Sequence, residues 1–511
     1  MNFRLNRRDF LKLAGTLPLG YATSQAVRSL GLPNLMQQDG RRNVLVIVFD
    51  AWSAYNISLH GYQRKTTPNL ARLAERAIVY HNHFSGSNFT SSGTASLLTG
   101  TLPWTHRALR GGDDVAQDFV SRSIFSAFQD YHRIAYTHNG WANTLLEQFQ
   151  ADIDELVPWK SLFLRSYDGF IHSLFKNDDD SASVAWTRNM NVKQDGYSYS
   201  LFLSHLYGEL QKNRYADLKQ TFPRGIPSTG DVGSEFLLES AIDWTGSRLP
   251  RIPQPFVGYF HFLPPHGPYN APIDTIGHFE SDNLRPLDKP QDLFTARVPY
   301  SALLKRRAEY DEFILYVDRE FGRLFDQLES AGLLQNTVIA LTTDHGEMNE
   351  RGISGHSTNA LYQPVIRVPL LIFDPDQPTR VDVHTPTSAV DLLPTLLHRT
   401  DQPIPAWTEG VILPPYAEPT PGRSVYAVKA SKNGQFDPLE HASVALVKDN
   451  HKLIYYFGYQ ERGVDELVQL YDIQADPEEM TDLSTSQKNV STQMLDELKT
   501  KLEEVNQPYI K

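Results

Sequence analysis

Asn43-Val44-Leu45-Val46-Ile47-Val48-Phe49-Asp50 is a continuous apolar run closed by an aspartate. An unbroken run, rather than an alternating one, marks a strand buried on both faces, as strands of parallel sheets are. Its carboxylate then stands at the strand's carboxyl end, where open α/β sheets bind ligands. Thr337 to Leu341 repeats the pattern and leads to Asp344-His345, while Phe256 to Phe262 and Leu370 to Phe373 are further strand candidates. Between them, Thr67-Pro68-Asn69 opens a helix through Leu70, Leu73 and Ala77, with proline in the first turn where it is tolerated. Residues 91–99 read as a short helix starting just after Thr90. Tyr310, Phe313, Ile314, Val317, Phe321, Leu324 and Leu328 recur at helical spacing and mark a long amphipathic helix. Strands alternating with helices predict an α/β fold with a mostly parallel central sheet and helices on both faces.

The chain has 511 residues and 41% hydrophobic content, enough for one large core and a smaller satellite. Residues 151–235 break the strand–helix rhythm with the aromatic Ser161–Phe175 stretch, the Asp178-Asp179-Asp180 run and the loop-like Phe222–Gly233, and they read as a variable insertion over the active face. The triple aspartate reads as a solvated loop. Val425–Val428, Ser443–Val447 and Leu453–Tyr456 predict short antiparallel strands and Thr492–Val505 a closing helix, so 415–511 is expected to form a small C-terminal α+β subdomain. Residues 43–414 are expected to form the main, catalytic domain.

Asn6-Arg7-Arg8-Asp9-Phe10-Leu11-Lys12 has the order of a twin-arginine export signal, followed by an apolar stretch from Leu13 to Ala22 and small residues that permit cleavage after Ala26. The expectation is a signal over 1–26, a linker over 27–42, and a protein exported to the periplasm or cell exterior. No run of 18 apolar residues is present, so no transmembrane anchor is expected. Cysteine is absent, so no disulfide supports the fold in an oxidising compartment. The formal charge is −12; residues 1–26 carry Arg4, Arg7, Arg8, Lys12 and Asp9, a net +3, so the remainder carries −15. That surface disfavours nucleic acid and anionic lipid as general partners, but not one anionic group held at a metal.

Two carboxylates and an imidazole at two strand ends can converge on one cation. Asp344 and His345 are adjacent and would face opposite ways within a strand, so the chain must leave the strand there, a turn that Gly346 permits. Thr90 precedes a helix whose N-terminal amides and dipole favour an anionic oxygen. Its hydroxyl is a poor nucleophile near neutral pH, and a divalent metal would favour its alkoxide form. Alone, a threonine there reads as a helix N-cap.

The ordered set of short motifs resembles the sulfatase family of the alkaline phosphatase superfamily. It runs from Asp50 through Thr66-Thr67-Pro68-Asn69-Leu70 to Asn88–Gly100 and Pro103, then to His261-Phe262-Leu263-Pro264-Pro265-His266-Gly267-Pro268-Tyr269. Thr343-Asp344-His345-Gly346-Glu347, Gly355-His356, Arg367-Val368-Pro369-Leu370, Asp391-Leu392-Leu393-Pro394-Thr395, Lys452-Leu453-Ile454 and Leu470-Tyr471-Asp472 continue it, so the likeness covers about 43–485. It implies an alkaline-phosphatase-like sandwich. It implies that Asp50, Thr90, Asp344 and His345 are metal ligands, with Thr90 also the nucleophile. His266 and His356 would contact the substrate's anionic group or protonate the leaving oxygen. Glu347 is expected beside the ligands rather than among them, and His81, His83, His106 and His138 are read as structural.

Three positions depart from that family's pattern. Sulfatases require a cysteine or serine, oxidised to formylglycine, where this chain has Thr90, with Ser91 and Ser92 out of register. The arginine expected four places later is Thr94, with Gly93 replacing the serine before it, and the second aspartate after Asp50 is Ala51. Two carboxylates, one imidazole and an alkoxide suit zinc or manganese better than calcium or magnesium. All three shifts resemble threonine-nucleophile branches of the superfamily, namely nucleotide phosphodiesterases and phosphoethanolamine or glycerol-phosphate transferases. The expectation is a metal-dependent hydrolase of phosphate esters or phosphodiesters, working through a phospho-threonine and without formylglycine. The alternatives are a sulfuric ester hydrolase, a transferase of the type named, and a non-catalytic binding protein. The partner is an anionic ester of a small molecule, sugar or lipid head group.

Overall fold

The computed structural model describes residues 40–164, 216–230, 234–280, 282 and 284–510. The expected export signal, most of the linker and the triple aspartate lie outside them. β1 (Asn43–Phe49) is the centre of the main sheet, parallel to β5 (Phe256–Phe262) on one side and β6 (Thr337–Thr342) on the other. Beyond β5 lie β3 (His132–Thr137) and β4 (Glu155–Leu156), both parallel. Beyond β6 lie β9 (Arg367–Phe373), β2 (Ile78–Phe84), β10 (Val381–Val383) and β11 (Thr387–Ser388).

Among these strands only β9 runs antiparallel to its neighbours. It is longer than the Leu370–Phe373 expected, and its direction follows from where the chain has been. After β6 the chain stays at the carboxyl edge of the sheet, forms the hairpin β7 (Met348–Glu350) and β8 (Ile353–Gly355), and re-enters the sheet from that edge.

The unbroken apolar sequence of β1 is explained by cover on both faces. Leu45, Ile47 and Phe49 pack with Tyr310, Phe313, Ile314, Val317 and Phe321 of α5 (Tyr300–Ser330) and with α4 (Leu238–Arg248) and α1 (Pro68–Leu73). Val44, Val46 and Val48 pack with Ala95, Leu97 and Leu98 of α2 (Thr90–Thr99), Leu145 and Leu146 of α3 (Gly140–Gln148), and Leu392, Leu393 and Leu396 of α6 (Leu392–Arg399). Each such side chain contributes about 1.5–3 kcal/mol by leaving water. α1 is shorter than the sequence predicts. It tightens into a 3₁₀ turn at Ala74–Arg76, and Ala77 is already extended toward β2.

The C-terminal sheet is an antiparallel meander of β12 (Ser424–Lys429), β13 (Ala442–Lys448), β14 (His451–Tyr459) and β15 (Val464–Asp472). Val444 and Leu446 of β13 face Met494, Leu498 and Leu502 of α7 (Lys488–Asn506). Ala445 and Val447 face Tyr362, Val365 and Ile366 of the main body.

Asp391, from the Asp-Leu-Leu-Pro-Thr motif, proves to be a structural anchor. It is fully buried and takes two hydrogen bonds from Arg423 (2.7 and 2.5 Å), one from Ser388 N (2.8 Å) and one from Val411 N (3.0 Å). Arg423→Ala leaves that carboxylate without its counter-charge and is expected to cost about 3 kcal/mol. The urea midpoint measures it, and an unchanged midpoint would count against this role.

Candidate active site

Asp50 follows the last residue of β1 and Asp344-His345 lie two residues beyond β6, so both reach the carboxyl edge of neighbouring parallel strands. The turn after β1 is held by Ala51 in the left-handed region (φ 60°). Its N–H donates to Asp344 Oδ1 (3.3 Å) and its carbonyl accepts from Tyr310 Oη (2.6 Å). An L-residue held there costs on the order of 1 kcal/mol, offset by those fixed partners. After β6, Gly346 is required by close approach: a Cβ would sit 2.2 Å from the carbonyl oxygen of Pro364.

His345 Nδ1 donates to Gly346 O (2.9 Å), which leaves Nε2 as a lone pair. That atom faces Asp50 Oδ1 and Asp344 Oδ2, each 3.5 Å away, and Thr90 Oγ1 at 3.4 Å. Both carboxylate oxygens are buried without a hydrogen-bond partner. Asp50, Asp344 and His345 each offer one ligand atom within 4.8 Å of the others. Two carboxylate oxygens and an imidazole nitrogen facing one another in a buried site fit a divalent cation. Burial raises the Asp50 carboxyl, but His266, His261 and His345 outweigh it and hold Asp50 below the usual carboxylate range. Burial, and then the charge of Asp50, push Asp344 up.

Thr90 is the first residue of α2, and Phe89 is its cap, with no side-chain cap bond. The N-cap reading of Thr90 therefore does not describe it; its hydroxyl faces the cluster. Gly93 brings α2 this close, because a Cβ there would lie 2.2 Å from the carbonyl oxygen of Asp344. Ser91 Oγ accepts from Gly112 N (2.9 Å) and Ser92 Oγ donates to Ala108 O (2.6 Å), so both neighbouring hydroxyls are engaged elsewhere.

His266 and His356 stand side by side, 4.9 Å between ring centroids, and His356 lies 4.3 Å from His345. His356 Nδ1 contacts Glu347 Oε2 (3.2 Å), and Asn88 Nδ2 holds the same loop through the carbonyls of His356 and Thr358 (3.2 and 2.8 Å). Burial lowers His356 to about 3 and raises Glu347 to about 7.

The four histidines that the sequence reads as structural bond or stack within the scaffold. His106 bonds Ser96 and Ala108, His83 bonds Thr387, and His81 pairs with Asp382. His138 stacks on Phe236 (4.0 Å), beside Phe163, where the described ends of the 151–235 segment meet.

Three residues near the site escape a reading of the sequence. Asn139 caps α3 through Oδ1, while its Nδ2 donates to Asp50 Oδ2 (2.5 Å) and reaches Thr90 Oγ1 (3.4 Å). His261, near the end of β5, places Nε2 3.3 Å from Asp50 Oδ2 and 3.9 Å from Asp344 Oδ2. Lys429, from the C-terminal sheet, lies over the Phe89 ring at 3.9 Å. A histidine inside an otherwise apolar strand was the available signal for His261.

An α/β sheet with two carboxylates and a histidine gathered beyond its central strands forms a candidate divalent-cation site. The Sulfatase family profile matches residues 42–402, and the profile for the C-terminal region of N-sulphoglucosamine sulphohydrolase matches 356–508. The chain belongs to the sulfatase family, within the alkaline phosphatase superfamily. An arylsulfatase of Clostridium perfringens is 22% identical over 488 residues, covering 87% of this chain and 91% of its own. A choline-sulfatase of Rhizobium meliloti is 24% identical over 470 residues, covering 87% and 83%. The crystal structure of a phosphonate monoester hydrolase of Agrobacterium radiobacter superposes with a TM-score of 0.61 at 20% identity, covering 91% of this chain and 95% of that one. Among the described residues, no helix is long and apolar enough to cross a membrane.

Proposed function

We propose that this sulfatase-family hydrolase uses Thr90 as its nucleophile and acts on phosphate esters or phosphodiesters. One observation carries the reading: the Thr90 hydroxyl lies 3.4 Å from His345 Nε2, the atom that also faces Asp50 and Asp344, in a chain with no cysteine to mature into formylglycine. An arylsulfatase and a phosphonate monoester hydrolase both stand among its relatives and fold neighbours, so the fold alone does not choose between sulfur and phosphorus esters.

In the proposed reaction the Thr90 oxygen attacks phosphorus, its bond to phosphorus forms, and the bond from phosphorus to the leaving oxygen breaks. Thr90 gives up its hydroxyl proton to solvent before attack. The leaving oxygen takes a proton from His266, which burial lowers but Asp50 and Glu347 raise above its usual range, with neutral His356 beside it. Water then attacks phosphorus, returns a proton to His266 and releases the Thr90 oxygen. Asp50, Asp344 and His345, with the Thr90 oxygen, would hold a divalent cation, zinc or manganese by the donor set. Such a cation supplies positive charge for the hydroxyl and the ester oxygen. Asn139 orients both Asp50 and Thr90, and the α2 N-terminus favours negative charge at the nucleophile. The paired arginines Arg7-Arg8 remain the basis for proposing export by the twin-arginine route.

A second reading, hydrolysis of sulfuric esters without formylglycine, is favoured by the arylsulfatase and choline-sulfatase among the relatives. Metal-loaded protein offered an aryl phosphate, an aryl phosphodiester and an aryl sulfate separates the two. Turnover of the phosphorus esters is expected; turnover of the sulfate alone would sink the first reading.

A further inference from the structure

Three lysines are buried among the described residues. Lys289 pairs with Glu350 and Glu478 (3.0 and 2.7 Å). Lys452 pairs with Glu479 and donates to Leu361 O (2.8 Å). Lys429 is the exception. It is only 7% exposed, yet it makes no hydrogen bond and no ion pair with any described residue.

Its position is fixed from two directions. Lys429 ends β12, the edge strand of the C-terminal sheet. The residue before it is stitched to the loop that carries the nucleophile: Val428 N donates to Gly86 O and Ser87 Oγ donates to Val428 O, both at 2.8 Å. The ammonium lies on the ring of Phe89, the residue preceding Thr90, and is near enough to His356 to help depress that imidazole. Burial lowers Lys429 to about 8, so it keeps its charge at neutral pH. An aromatic face offsets part of the lost hydration but accepts no conventional hydrogen bond. Retaining an unpaired buried ammonium costs several kcal/mol, which an anionic ligand would offset.

We propose that Lys429 binds an anionic oxygen of the substrate, so that the C-terminal sheet supplies part of the substrate site. This rests on the reading that the Thr90 site takes an anionic ester. Two parts of such a substrate offer that oxygen: the transferred group itself, or a second acidic group on the alcohol portion.

The test uses full-length, metal-loaded protein with Lys429→Met, Lys429→Gln and Lys429→Arg. Calorimetric binding of inorganic phosphate and sulfate is measured beside steady-state kinetics on aryl phosphates with and without a ring carboxylate. Lys429→Met is expected to keep or raise the melting temperature, since an apolar group replaces a buried charge. It is also expected to weaken anion binding, or raise KM, about tenfold or more. Lys429→Arg keeps most of the binding. Weakened phosphate and sulfate binding assigns the oxygen to the transferred group. An effect confined to the carboxylated esters assigns it to the second acidic group. If Lys429→Met and Lys429→Gln are folded and match the wild type in both ion binding and KM on every ester, the proposal is overturned. The same holds if they lower the melting temperature without changing anion affinity. Loss of phosphate binding in the variants, with no ester turned over even by the wild type, would leave Lys429 as an anion ligand and remove the hydrolase reading instead.

Discussion

Thr90→Ala is expected to lower turnover of phosphorus esters by about a thousandfold or more while leaving the fold intact. The side chain is small, and its removal disturbs only contacts at 3.4 Å to His345 and Asn139. No neighbouring group replaces it. Ser91 and Ser92 point their hydroxyls to Gly112 and Ala108, and cysteine is absent. Asp50, Asp344 and His345 remain, so the variant should still bind metal, more weakly. Mass spectrometry of wild-type protein quenched during turnover should find phosphate on the peptide holding Thr90, and none on the variant. Undiminished activity in Thr90→Ala would move the nucleophile elsewhere and end the phospho-threonine mechanism.

Removing the divalent cation is expected to abolish turnover and lower the melting temperature together. Two buried carboxylates then face each other and the His345 lone pair with the flanking His261 and His266 left to offset their charge. Ligand linkage sets the scale: a cation present at a thousand times its dissociation constant stabilises the fold by about 4 kcal/mol. Dialysis against a chelator, followed by readdition of single metals, should restore both properties with zinc or manganese and less completely with calcium or magnesium. Elemental analysis should find metal in the untreated protein and little in Asp344→Ala. Protein that purifies without metal, and that ignores the chelator in both measurements, contradicts the assigned ligand set.

Much of this arrangement is legible in the sequence because it is local. An apolar run ending in an acidic residue identifies both a central strand and the edge at which its carboxylate stands, and β1 and β5 have the limits expected of them. Thr90, Asp50, Asp344 and His345 come together because neighbouring parallel strands end at one edge. β3 escapes because it begins with His132-Arg133 and is only six residues long. With the strand unseen, Asn139 at its exit was also unseen, although it makes the shortest contact to Asp50. β9 has an antiparallel direction that depends on the path of residues 343–366, which no window of local pattern contains. Lys429 is the furthest from view. Its place depends on how a separate sheet docks onto the loop before α2, an event more than 300 residues removed in sequence.

That docking has a consequence for how such a chain can be divided. β12 clamps the Gly86–Ser87 backbone, and the buried Arg107 reaches across to the carbonyls of Gln435 and Asp437 (2.6 Å each). The C-terminal meander is thus a brace on the loop that presents Thr90, and not an appended module. A fragment ending before β12 would lose the outer support of the Thr90 loop while keeping Asp50, Thr90, Asp344 and His345. Exchanging this sheet between relatives would replace that brace and the residue at position 429 together, changing the surroundings of Thr90 without one substitution in the main sheet.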